Sequence, residues 1–166
     1  MTATYNVIST QTVSGTPTTV VFNSIPATFT DLVIVGTARY NTTGDDAGLQ
    51  FNSDTNNNYS WQQLAVGGTA PVANNVSVTN YARVINNMDN DRDCGFEINI
   101  INYANTSFMK PVISRWGSRQ GGNMYWGSFG GSWSSTSAIN SITIMKPNGG
   151  NWASDSVFTL IGITKE

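Results

Sequence analysis

The chain has no histidine and a single cysteine, Cys94. Without imidazole, Ser-His-Asp and Cys-His catalysis are excluded, and so is the commonest zinc ligand. One thiol cannot close an intramolecular disulfide, which excludes a small disulfide-stapled module. Cys94 also lacks the partners of a nucleophilic cysteine and reads as a small buried or edge thiol. Charge is scarce: 11% of residues are Asp, Glu, Lys or Arg, against roughly 25% in ordinary soluble domains. The net charge is −2, with no basic run, so binding to nucleic acid by counterion release is not expected. No apolar run approaches the ~20 residues of a membrane span. The opening "MTATYNVIST" has neither a basic nor an apolar signal region, so synthesis in the cytoplasm is expected.

In place of charge, Ser, Thr and Asn make up about a third of the 166 residues. The apolar 39% is enough for one core. Its spacing is that of strands, since no segment carries an i, i+3, i+4, i+7 stripe. In "DLVIVGTAR", Leu32, Ile34, Gly36 and Ala38 share one face. In "GFEINIIN", Phe96, Ile98 and Ile100 alternate with Glu97, Asn99 and Ile101, leaving one face largely wet. "TTVVF", "GLQF", "YSWQQLAV", "YARVIN", "MKPVISRW", "NMYWGSF", "INSITIM" and "SVFTLIGIT" read as further strands, separated by Gly, Asn, Asp, Ser and Pro punctuation. Eight to ten short strands without a linker or repeat predict one all-β domain over residues 1–166, an antiparallel β-sandwich of jelly-roll type.

Carboxylates are the remaining route to catalysis, through Asp54, Asp89, Asp91, Asp93, Glu97 or Asp155. Most lie in turn-like segments, and no enzyme activity or catalytic residue is expected. "MDNDRDCG" spaces Asp89, Asp91 and Asp93 like the opening of a calcium loop. Its glycine falls one place late, however, and Ile100 stands where the closing glutamate belongs. These three residues predict at most a weak Ca²⁺ site, and no other cofactor is expected. In "SDTNNNY", Asp and Asn are expected to make side-chain-to-backbone turn bonds rather than bind metal.

The stretch "WGSRQGGNMYWGSFGGSW" (116–133) concentrates three of five tryptophans and six of 16 glycines. Trp116, Tyr125, Trp126, Phe129 and Trp133 are candidates for a subunit interface or a sugar-binding surface, with core packing as the competing reading. Alternation places Tyr125 and Gly127 on one face and Met124, Trp126 and Ser128 on the other, so a large aromatic points outward unless a bulge intervenes.

"FNSIPATFTDLVIVGTAR", "FNSDTNNNYSWQQL", "INIINYANTSFMKPV" and "AINSITIMKPNGGNWASDSVFTLIGITKE" run in order over nearly the whole chain. Together they resemble a family of small virion-associated proteins of tailed bacteriophages, notably those infecting cyanobacteria and other aquatic bacteria. The resemblance implies a jelly-roll-like sandwich on the virion surface, made in the host cytoplasm, as a capsid decoration, cement or head-knob protein. A receptor- or glycan-binding tail-fibre tip is the alternative. Implied partners are the major capsid protein or other virion proteins and possible host-surface glycan, with no membrane insertion. "PVANNVSVTNYARVINNMDNDRDCG" and the 116–133 stretch depart from the family pattern and are expected to be loops and outer surface. Sheet edges with few lysines to guard them further predict self-association, as a homotrimer with part of 116–133 at or beside the contact.

Overall fold

The computed structural model describes residues 3–42, 45–67, 70–90, 93–120 and 122–165, with the side chains of residues 3 and 45 excepted. Those residues form twelve strands and no helix. The first six are β1 (Ala3–Thr12), β2 (Thr19–Phe22), β3 (Asp31–Ala38), β4 (Asp45–Phe51), β5 (Tyr59–Gly67) and β6 (Ala70–Thr79). The second six are β7 (Ala82–Met88), β8 (Cys94–Ile100), β9 (Lys110–Gln120), β10 (Asn123–Trp133), β11 (Ile142–Met145) and β12 (Val157–Lys165).

Two antiparallel sheets pack face to face as a β-sandwich. The larger runs β1-β12-β3-β8-β9-β10-β5-β6 and the smaller β2-β11-β4-β7. Eight strands make four nested pairs: β1 with β12, β2 with β11, β3 with β8, and β4 with β7. Along each arm of this nest the chain steps from one sheet to the other. The β5–β6 and β9–β10 hairpins are set into the nest, and pairing of β10 with β5 joins them into a wing that widens the large sheet beyond β8. β7, at the edge of the small sheet, covers the inner side of β9 and β10.

Period-two patterning explains which face each strand buries. On β3, Leu32, Ile34 and Ala38 enter the core; on β8, Phe96, Ile98 and Ile100 do so. At one end of the core, the Trp152 ring lies 4.5 Å from Tyr40 and 4.9 Å from Phe158. At the wing end, Phe51 and Tyr59 pack against Trp133, with Tyr59 and Trp133 stacked at 6.3 Å. Lys110 is buried; its ammonium donates to the carbonyls of Phe108 (2.7 Å) and Thr136 (3.1 Å), and burial holds its pKa below the usual lysine value.

Of two departures from the sequence expectation, the first lies in the large sheet. Its outermost strands, β1 and β6, were not expected, because strands exposed over most of their length show no burial period. Ile8 and Val76 are the half-buried apolar residues they pack against the core, and β6 has no buried residue. The segments that the resemblance marked as loops, residues 71–95 and 116–133, are instead mostly strand, in line with the strand pattern of "YARVIN" and "NMYWGSF" within them. β7 is a core element, in which Ala82, Val84, Ile85 and Met88 are fully buried.

Candidate functional site

Inward and outward positions on the wing follow one parity per strand. On β10, Tyr125, Gly127, Phe129, Gly131 and Trp133 face the small sheet, and Met124, Trp126, Ser128 and Gly130 face away. Trp116 on β9 is inward, next to outward Arg115. The five aromatic candidates therefore do not form one surface. Trp116, Phe129 and Trp133 are buried in the protein's own core, and Tyr125 packs partly buried against it. Their expected place at an interface or ligand surface is corrected for this reason: each shares the parity of the buried face. Trp126 stands apart, 59% exposed on the outer face of the large sheet.

The outer face around Trp126 is built by cross-strand register. Gly95 on β8 lies opposite Gly117 on β9, which in turn lies opposite Trp126 on β10. Two residues along, Glu97 pairs with Arg115, and two further, Asn99 pairs with Ile113. The Arg115 guanidinium donates to one Glu97 oxygen at 2.9 Å and the Asn99 amide donates to the other at 2.8 Å. The Asn99 bond, opposed by partial burial and aided by Arg115, holds the Glu97 carboxyl below its ordinary pKa. A pocket of about 370 Å³ opens beside Gly95, flanked by Arg115, Trp126 and Ser128. A second, of about 500 Å³, lies over Asn99 and Ile113 and reaches Asp31 and Lys165, which form an ion pair. Arg115 lines both, so the two pockets lie end to end as a groove along the β8–β9 pair, with Arg115 between them.

Glycine at the floor of this groove has no reason inside the protein. A Cβ on Gly127 would approach Leu64 O at 2.7 Å, and one on Gly131 would approach Ser60 O at 2.7 Å, so those positions need glycine for packing. A Cβ on Gly95 would meet nothing within 4 Å, and one on Gly117 would meet only the end of Met124 at 3.9 Å and a carbonyl at 4.0 Å. Neither has a positive φ. Glycine inside a strand weakens it, and where no local strain requires it the residue marks close approach by something else. This floor was missed in the sequence because Gly95 and Gly117 lie 22 positions apart and only the β8–β9 register brings them together.

The other chemical candidates are dispersed. Asp89 is buried at the end of β7 and accepts the Asn90 amide at 2.8 Å, while Asp93 is exposed, 4.0 Å from Arg39. Asp91 lies outside the described residues, among which no group of three His, Cys, Asp or Glu side chains is arranged to hold a metal. Asp54 accepts hydrogen bonds from the Asn56 amides, the Asn58 side chain and the Trp133 indole, the turn role expected for this segment. Asp155 sits in a turn with φ of 69°. Burial pushes the Cys94 thiol up to about 12, with the Gly117 backbone bond opposing, so at neutral pH it is an inert core thiol.

No family model, no curated protein and no solved structure matches the chain.

Proposed function

We propose that the protein is a structural protein of a bacteriophage virion, a capsid decoration or head-knob protein displayed on the particle surface. The nest of four strand pairs is the observation that carries this reading. With the two wing hairpins set aside, the chain visits the large sheet (L) and small sheet (S) in the order L, S, L, S, S, L, S, L. That alternation supports reading the sandwich as a jelly roll, an architecture recurrent in viral capsid and lectin domains. A neutral Ser/Thr/Asn surface and a disulfide-free core agree with synthesis in host cytoplasm followed by exposure on an assembled particle. The partners proposed are the major capsid protein or other virion proteins, and further copies of this chain.

The homotrimer is proposed at the edges of the large sheet rather than through the buried tryptophans. Neither β1 ("ATYNVISTQT") nor β6 ("APVANNVSVT") contains a charged residue. An uncharged edge strand is a template for pairing with another chain.

The test is the copy number of the protein in purified virions, measured by quantitative mass spectrometry. Hundreds of copies per particle support capsid decoration and a handful support a tail position. Absence from purified particles refutes the virion assignment.

A further inference from the structure

We infer that the groove along the outer face of β8 and β9 binds a neutral oligosaccharide. Three observations converge on it. Gly95, in the floor of the groove, gives up strand stability with no compensating contact inside the chain, leaving room for a ligand to lie on the backbone. The exposed indole of Trp126 borders that floor, an amphipathic ring suited to the C–H face of a pyranose. Next along the groove, Asn99, Glu97 and Arg115 are already tied to one another, so their remaining donors and acceptors are presented in fixed positions for sugar hydroxyls.

The charge balance selects the class of ligand. Arg115 is paired with Glu97 and Lys165 with Asp31, so the groove offers no surplus charge to an anionic or cationic ligand. Nucleic acid would need a cluster of Lys and Arg. A stable protein partner would cover roughly 800 Å² around buried apolar anchors, whereas here the exposed side chains Met124, Trp126 and Ile113 border a groove lined between them by Glu97, Asn99 and Arg115. The pair of pockets extends over Gly95, Glu97 and Asn99, about 13 Å at ~3.3 Å per residue, which suits an oligosaccharide better than a single sugar.

The experiment is a glycan array of neutral and acidic bacterial, algal and plant oligosaccharides, probed with the full chain and with Trp126→Ala and Gly95→Val. Affinities for bound glycans are then measured by titration. The expected result is binding confined to neutral glycans, weakened about tenfold or more in each variant, as when an aromatic anchor is truncated. Gly95→Val should lose binding while its melting temperature is unchanged or raised, since the side chain enters open space and valine favours strands. Gly95→Ala, which adds only a Cβ, guards against misfolding of the larger variant. Failure to bind any neutral glycan, binding restricted to acidic glycans, or full binding by both variants overturns the inference. So does loss of self-association in Gly95→Val, which would assign the groove to a second copy of the chain. Virion copy number and glycan binding are separate readouts, so either reading can fail alone.

Discussion

The indole N–H of Trp133 donates to the Asp54 carboxylate at 2.7 Å, tying the β10 end of the wing to the turn between β4 and β5. The same carboxylate holds Asn56 and Asn58, and Tyr59 donates its hydroxyl to the Asp54 carbonyl at 3.1 Å. One acidic residue therefore organises the turn and satisfies the polar edge of a core tryptophan. Replacing Trp133 with Ala removes both the ring packing and the bond, and should cost about 3–5 kcal/mol. Trp133→Phe keeps most of the packing and should cost less. Chemical denaturation of the two variants separates the contributions.

Protonation of Asp54 should act in the same direction as its removal. Partial burial raises its pKa, but the bonds from Asn58, Trp133 and Asn56 outweigh it and hold the carboxyl below the ordinary aspartate value. A carboxylate with a depressed folded pKa contributes stability above the unfolded value and loses it as pH falls through the folded one. The melting temperature of the wild type should thus fall below about pH 4. Asp54→Asn should be less stable at pH 7 and show a shallower decline. An identical acid profile in Asp54→Asn would mean that other carboxylates set it.

Trp126 and Trp116 provide a paired contrast, because neighbouring strands present them to opposite sides of one sheet. Trp116→Ala opens the core beside Phe96 and should destabilise by about 3–5 kcal/mol. Trp126→Ala removes an exposed ring and should remain within about 0.5 kcal/mol of wild type. Equal losses in thermal unfolding would mean that Trp126 is covered in solution, most simply by another copy of the chain.

The parity behind that contrast was present in the sequence. Once Trp126 is outward, Phe129 and Trp133 must be inward, and charged Arg115 beside Trp116 turns that ring inward as well. β8 was legible for the same reason, with one apolar and one wetter face at period two, and β3 as a β-branched run apolar on both faces at its start. The edge strands β1 and β6 were hidden because each sets one half-buried apolar residue, Ile8 or Val76, against the core, too few to make a period. The groove was hidden for another cause, since cross-strand register is a tertiary property and neither Gly95 nor Gly117 carries a local signal of its partner.

Cys94 should be silent in the folded protein. It is fully buried, and burial drives its thiol pKa to about 12. A disulfide reagent such as DTNB at pH 8 should leave it unmodified in buffer and titrate one thiol per chain in 6 M guanidinium, through the thiolate exposed by unfolding. Rapid modification in buffer would place β8 among segments that open locally.

The final prediction concerns assembly through the large sheet's edges. None of the three lysines guards them: Lys110 is buried, Lys165 on β12 pairs with Asp31, and Lys146 donates to Thr42. β6 presents two exposed valines, Val72 at 45% and Val78 at 64%. Charges placed there should blunt strand addition, the device by which natural sheets keep their edges apart. Light scattering on the wild type is expected to give a trimer, and Val72→Lys with Val78→Lys a mass one-third as large. Because both side chains already face solvent, the double variant should retain its unfolding midpoint apart from the contribution of assembly. A monomeric wild type refutes association outright. A double variant that remains trimeric moves the contact away from β6, to β1 or to the edges of the small sheet at β2 and β7.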